Sequence, residues 1–279
     1  MSRAKRVAHF SKRVQIFTPL ALAVLIILSG ITSPASVKAE VVPEFHNPLI
    51  YQPASLSNPG SPPYVPSDIR TAYDILPLYA RGINGSGTRI AIIDAYGSSS
   101  LSSDLASFDS LTGLPSVTVN TFYPDGVPGR CRVNQPCNNW AVETSLDVEW
   151  AHAIAPQATI DLVVALDNSD AHIFDAIAYV ANSLTSEAVV SLSFGQSESS
   201  YPTTGSDTLA ATHQLFVTMT SQGTTLFASS GDSGASSCCS TFYPASDPLV
   251  VAVGGTSLTL NSTPRLRLRV DMEWKRGRV

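Results

Sequence analysis

The spacing of apolar residues alternates between two patterns along most of this chain. Short runs that are almost wholly apolar recur, and between them lie stretches with helical spacing. The runs predict strands over 89–94, 117–123, 159–165, 188–193, 224–228 and 249–253. The intervening stretches predict helices over 66–79, 98–110, 140–155, 169–183 and 208–222. Strands without polar alternation, each followed by a helix, form a parallel sheet covered on both faces and joined by right-handed crossovers. The fold class is therefore α/β, a doubly wound parallel sheet. No internal repeat is visible.

In such a sheet, chemistry gathers just beyond the carboxyl ends of the strands. That singles out three loops: Asp94-Ala95-Tyr96-Gly97, Ser193-Phe194-Gly195 and Ser229-Ser230-Gly231-Asp232-Ser233-Gly234.

The chain ends follow a different pattern. A basic stretch runs to Arg13, an apolar stretch spans Ile16 to Leu28, and small residues lead to Val37-Lys38-Ala39. This is the layout of an export signal over residues 1–39, cleaved before Glu40. The alternative is an uncleaved membrane anchor. Residues 16–31 would make a helix of roughly 24 Å, short of the roughly 30 Å hydrocarbon core. Residues 40–63 are rich in proline and serine and read as a linker, residues 64–262 as the folded domain, and residues 263–279 as an arginine-rich tail. The expected location is secreted and extracellular.

Charge sharpens this division. Between positions 40 and 264 there are five basic and twenty acidic residues, a formal charge of −15, and no lysine. Such a body repels phosphates, which argues against nucleic acid as a partner. It suits high salt, which screens the repulsion, or low pH, which protonates the carboxylates. Four cysteines (Cys131, Cys137, Cys238, Cys239) allow three pairings on an exported chain, and their spacing does not suggest zinc. Asn84-Gly85-Ser86 is a turn and a glycosylation acceptor motif.

The helix over 140–155 carries the first candidate chemistry. Its apolar side is read through Leu146, Trp150 and Ile154, with Glu143 and Asp147 on that side and Thr144, Ser145, Glu149 and His152 on the more polar one. Residues four apart project from one helix face. Two carboxyls held close cannot both ionise easily, so one pKa is expected to rise. Asp232, in a glycine-rich loop after a buried strand, would sit at the mouth of the site.

Taken together, these pieces resemble a family. Glu143-Thr144-Ser145-Leu146-Asp147 lies on a helix ending in Ala-Pro. A strand ending in Ser-Phe-Gly follows, then Ser-Ser-Gly-Asp-Ser-Gly and Val253-Gly254-Gly255-Thr256. This order is similar to that of the sedolisins, the serine-carboxyl peptidases, and Tyr64 to Tyr73 resembles the start of their catalytic domain. The resemblance implies a subtilisin-like sheet and a serine-type endopeptidase cleaving proteins or peptides at acidic pH through a Ser-Glu-Asp triad. It makes Glu143 the general base, Asp147 its orienting acid and Asp232 the oxyanion residue. Asp94 matches a network acid of some relatives, and Phe194 stands where some have tryptophan. The chemistry is consistent: near pH 4 a glutamate is still partly ionised, and an aspartate aids an oxyanion only when protonated.

The family's serine, in a Ser-Gly-Thr-Ser motif roughly a hundred residues beyond Gly-Gly-Thr, has no counterpart here. The domain is thus expected to be C-terminally incomplete, the chain inactive as given, and the calcium expected in full-length relatives without its site in this chain. No other cofactor is expected. Ser257 is a poor substitute, because Ser257-Leu258-Thr259-Leu260 alternates like a strand and no helix follows. The arginine-rich tail suggests a shifted or shortened reading frame. Two rival readings stand beside this one. A subtilisin-like peptidase would use Asp94, but no histidine of the chain precedes a glycine. A non-catalytic secreted peptide-binding protein would explain the missing serine. The expected partner is a protein or peptide substrate of a monomer, with membrane contact only if the signal segment stays.

Overall fold

The computed structural model describes residues 64–132, 135–201, 206–231, 242–255, 258 and 260. They belong to one unit of the chain, residues 42–279; residues 1–41 form the other and lie outside the described residues, as do Asp232, Cys238, Cys239, Ser257 and the tail.

Two short helices, α1 (Pro66–Ala72) and α2 (Leu76–Ala80), precede β1 (Arg89–Ala95) and α3 (Leu101–Thr112). Then come β2 (Val119–Phe122), α4 (Pro136–Ile154), β3 (Thr159–Ala165), α5 (Asp170–Ser183) and β4 (Val189–Leu192). The chain continues through β5 (Gln196–Ser197), α6 (Ser206–Ser221), β6 (Thr225–Ser229), β7 (Phe242–Tyr243) and β8 (Val250–Val253). Six strands form one sheet in the order β2-β3-β1-β4-β6-β8, with every pairing parallel. The doubly wound parallel sheet expected from the sequence is present. β5 and β7 make a separate antiparallel ribbon that the apolar pattern did not announce, being only two residues per strand.

Alternation along β1 divides the core. Ala91, Ile93 and Ala95 face a cluster with Ile173, Ile177, Val180, Phe216 and Leu226, while Ile92 faces one with Leu105, Val148, Leu162 and Val164. Helices α5 and α6 therefore back one face, and α3 and α4 cover the other over β1 and β3. Val251 and Val253 of β8 are 46% and 48% exposed, so part of the sheet is bare among the described residues.

Several boundaries differ from expectation. The helix expected over 66–79 is broken, because Asp74 takes a left-handed backbone (φ 53°) between α1 and α2. Helix α4 starts four residues before the expected position, with a proline at its first turn and Cys137 in a disulfide with Cys131. Arg70 ties α1 to the far end of α4, donating to the Ala153 carbonyl from Nε (2.8 Å) and Nη2 (2.6 Å). In the Asn84-Gly85-Ser86 turn, the Ser86 amide donates to Asn84 Oδ1 (3.2 Å). Gly85 has φ +90°, and a side chain there would meet the Ala158 amide at 2.9 Å. No helix among the described residues is long and apolar enough to cross a membrane; the 16–31 segment lies outside them.

Candidate active site

Asp94 is the last polar residue of β1, on the same face as Ile92, and it is fully buried. That face lies under α4. The helix runs antiparallel to the strands, so its first turns reach the carboxyl edge of the sheet, and it brings Glu143 and Asp147 to Asp94. Glu143 is 8% exposed; Asp147 is partly buried, with an Oδ2 that has no contact with solvent and no hydrogen-bond donor.

The sequence assigned the wrong apolar stripe to this helix. Leu146 is 37% exposed, whereas Trp140, Thr144, Val148 and His152 are buried. Thr144 and His152, placed on the polar side, are core residues. The Thr144 hydroxyl donates to the Trp140 carbonyl (2.9 Å), and the His152 ring lies 2.8 Å from the Pro115 carbonyl and 3.2 Å from Asp109. Thr144 and the Nε2 side of the His152 ring are thus satisfied inside the fold, while His152 Nδ1 is buried without a hydrogen-bond partner. Glu143 and Asp147 flank the buried side.

The three carboxyls share one electrostatic environment. Burial pushes the Asp147 carboxyl up to about 6, with hydrogen bonds from Ser193 and Glu143 acting in the opposite direction. Burial also holds Asp94 well above the ordinary aspartate range, and the charges of Asp147 and Glu143 raise it further. Thr144 stands beside Asp94, and its hydroxyl, which donates to the Trp140 carbonyl, acts in the opposite direction. A hydrogen bond between the Glu143 and Asp147 carboxyls requires a shared proton. The group therefore holds protons at pH values where free carboxylates have lost theirs.

Ser193 is the participant that sequence reasoning passed over. Its loop was marked by its place after β4, yet nothing in the spacing told which side chain would turn toward α4. Next to it, Phe194 is fully buried against Trp140, ring centroids 6.3 Å apart. Gly195 and Gly231, at the ends of β4 and β6, both lie against the Phe242 ring; a side chain on either would meet it at 3.1–3.2 Å. Glu149 points elsewhere, toward Asp104 and Asp109 of α3, and burial together with those charges pushes it up to about 7.

A cavity of about 1120 Å³ is lined among others by Gly97 in the loop after β1, Ser98, Asp109, Tyr123, Arg130 and Ala141; Asp94, Glu143 and Asp147 do not line it. Asp232 and Ser257 lie outside the described residues, and their placement is not part of this geometry. Among the described residues, no group of three or more His, Cys, Asp or Glu is placed to hold a metal ion.

The chain as a whole is similar to known proteins in sequence and in fold. No family model matches the chain. Kumamolisin of Bacillus sp. (strain MN-32) is 31% identical over 223 residues, and sedolisin of Pseudomonas sp. (strain 101) is 29% identical over 210. These alignments take in 77% and 71% of this chain but 37% and 34% of the relatives, so the chain spans little more than a third of their length. A solved structure of Pseudomonas sedolisin, a serine-carboxyl proteinase complexed with two molecules of pseudo-iodotyrostatin, superposes with a TM-score of 0.59. Its sequence identity is 28%, over 72% of this chain and 55% of that one.

Proposed function

Because the chain is a homologue of the sedolisins, we propose that it supplies the base half of a serine-type endopeptidase site that acts on proteins or peptides at acidic pH. The observation that carries this reading is the buried, hydrogen-bonded Glu143–Asp147 pair with Asp94 against it.

In this reading Glu143 is the general base. A glutamate is still partly ionised near pH 4, where an imidazole is already protonated and cannot accept a proton. Asp147 orients Glu143 and shares its proton; Ser193 fixes Asp147 in turn. Asp94 is the network acid, neutral because it is buried without a counter-ion. Its neutrality keeps a third negative charge away from the pair while Glu143 takes up a proton. Asp232 is the oxyanion residue, a role that requires its protonated form. Substrate peptide reaches the carboxyl edge over the cavity lined by Gly97 and Ala141. Secretion, through the signal over residues 1–39, brings the protein to an acidic exterior and permits the Cys131–Cys137 disulfide.

Neither the nucleophile nor the family's calcium is assigned to residues of this chain, so no step is routed through either. The 279-residue polypeptide alone is accordingly proposed not to turn substrate over. The test is an assay of the purified chain against a denatured protein at pH 3–5, beside Glu143→Ala and Ser257→Ala. A polypeptide carrying the serine segment of a relative is added in a second arm. The expected result is no cleavage by the chain alone, and cleavage in the second arm that requires Glu143. Cleavage by the chain alone that disappears in Ser257→Ala overturns the nucleophile assignment. Complemented cleavage that survives Glu143→Ala overturns the base.

A further inference from the structure

The amino edge of the sheet, opposite the candidate site, holds a second buried group. Arg89 opens β1, Asp161 lies in β3, and Glu187 precedes β4. Asp161 and Glu187 are 0% and 3% exposed. The Arg89 Nη2 pairs with Asp161 Oδ2, and its Nε donates to Glu187 Oε1 at 3.2 Å. Asn120 of β2 donates to the other Asp161 oxygen (2.7 Å), and Thr224, just before β6, donates to the Glu187 backbone carbonyl (2.8 Å). The group thus gathers the starts of five neighbouring strands.

Its charges do not balance. One guanidinium faces two carboxyls, and burying an uncompensated carboxylate is expensive. Glu187 Oε2 is buried with no donor, while the Glu187 and Asp161 carboxyls hydrogen-bond to each other. Two carboxyls form such a bond only around a shared proton. We propose that the Arg89–Asp161–Glu187 group is an acid-dependent latch, in which a proton held by Glu187 locks the strand starts together and its loss loosens the amino edge of the sheet.

The charged groups facing Glu187 are Asp161 from β3 and Arg89 from β1. Burial pushes Glu187 up to about 7, the Asp161 hydrogen bond and charge raise it, and Arg89 opposes them. A group whose folded pKa lies above its unfolded value stabilises the fold below the unfolded value. That contribution is lost as pH rises through the folded one. For Glu187 the window runs from about 4.5 to about 7. The latch is separate from the candidate site, so it stands whether or not Glu143 is a base.

The test is hydrogen exchange of the full chain at pH 5 and pH 8, corrected for intrinsic rates, with thermal melts of wild type, Glu187→Gln and Glu149→Gln. In wild type, exchange at the starts of β1, β3 and β4 should rise at least tenfold at pH 8, ahead of the rest of the sheet. Glu187→Gln should match wild type at pH 5, melt higher at pH 8 and lose the local rise, whereas Glu149→Gln keeps it. Should Glu187→Gln not fold, the wild-type exchange map decides alone. Exchange that stays flat at the amino edge, or a Glu187→Gln variant as pH-dependent as wild type, overturns the latch.

Discussion

Ser193, in the loop after β4, donates a hydrogen bond to Asp147 on α4. The bond crosses from the sheet to the helix, so it fixes where the Glu143–Asp147 pair sits relative to the strand ends. It also stabilises the ionised form of Asp147 against the burial that raises its pKa. Replacing Ser193 by alanine removes the donor and leaves the carboxyl buried. The Asp147 midpoint should then rise above about 6. A carboxyl resonance that titrates identically in Ser193→Ala would show that the bond is absent in solution.

The Arg70 anchor makes a stability prediction. Its two hydrogen bonds go to the carbonyl of Ala153, in the last turn of α4, where a cation also complements the helix dipole. Arg70→Ala should cost on the order of 1–3 kcal/mol in urea unfolding. Arg70→Lys should recover only part of this, since an ammonium lacks the planar fork. Equal stability of all three proteins would mean that water replaces the contact.

The Cys131–Cys137 disulfide closes a short loop onto the first turn of α4. Loop-closure entropy for so few residues is worth about 2 kcal/mol. A Cys131→Ser, Cys137→Ser protein should therefore be less stable by about that amount, checked by urea unfolding under non-reducing conditions. No loss would place the loop's order in its other contacts.

Much of this was legible beforehand, and the failures share a cause. Strands β1, β3, β4 and β6 announced themselves because apolar runs have no other use in a doubly covered sheet. The i, i+4 spacing of Glu143 and Asp147 likewise reports geometry directly. The buried side of α4 was misread because residue type stood in for burial. Leu146 is apolar yet exposed, while Thr144 is polar and buried, its hydroxyl satisfied within its own helix. Ser193 and the β5–β7 ribbon depend on how loops fold back, which no periodicity encodes. Asp232 carries weight by resemblance alone, lying outside the described residues.

Buried acids give the protein a direction in pH. Glu149 and Asp170 are pushed up to about 7 and about 6 by burial. Their contributions are complete below about 4 and are lost as pH rises through 6 to 7. Thermal melts should therefore move down between pH 5 and pH 8, and Glu149→Gln should weaken the decline. A melting temperature that rises with pH across this range would contradict the assignment of these acids as protonated in the fold.

Joint protonation of Glu143, Asp147 and Asp94 is measured directly by carbon-13 NMR of their side-chain carboxyls. Glu143→Gln, Asp147→Asn and Asp94→Asn assign the resonances. The pair should titrate in two coupled steps, with Asp147 near 6, and Asp94 should stay protonated well above the ordinary aspartate range. Removing Glu143 should shift the Asp147 midpoint. Three independent titrations between about 3.5 and 4.5, unchanged by substitution of their neighbours, would contradict the shared-proton site.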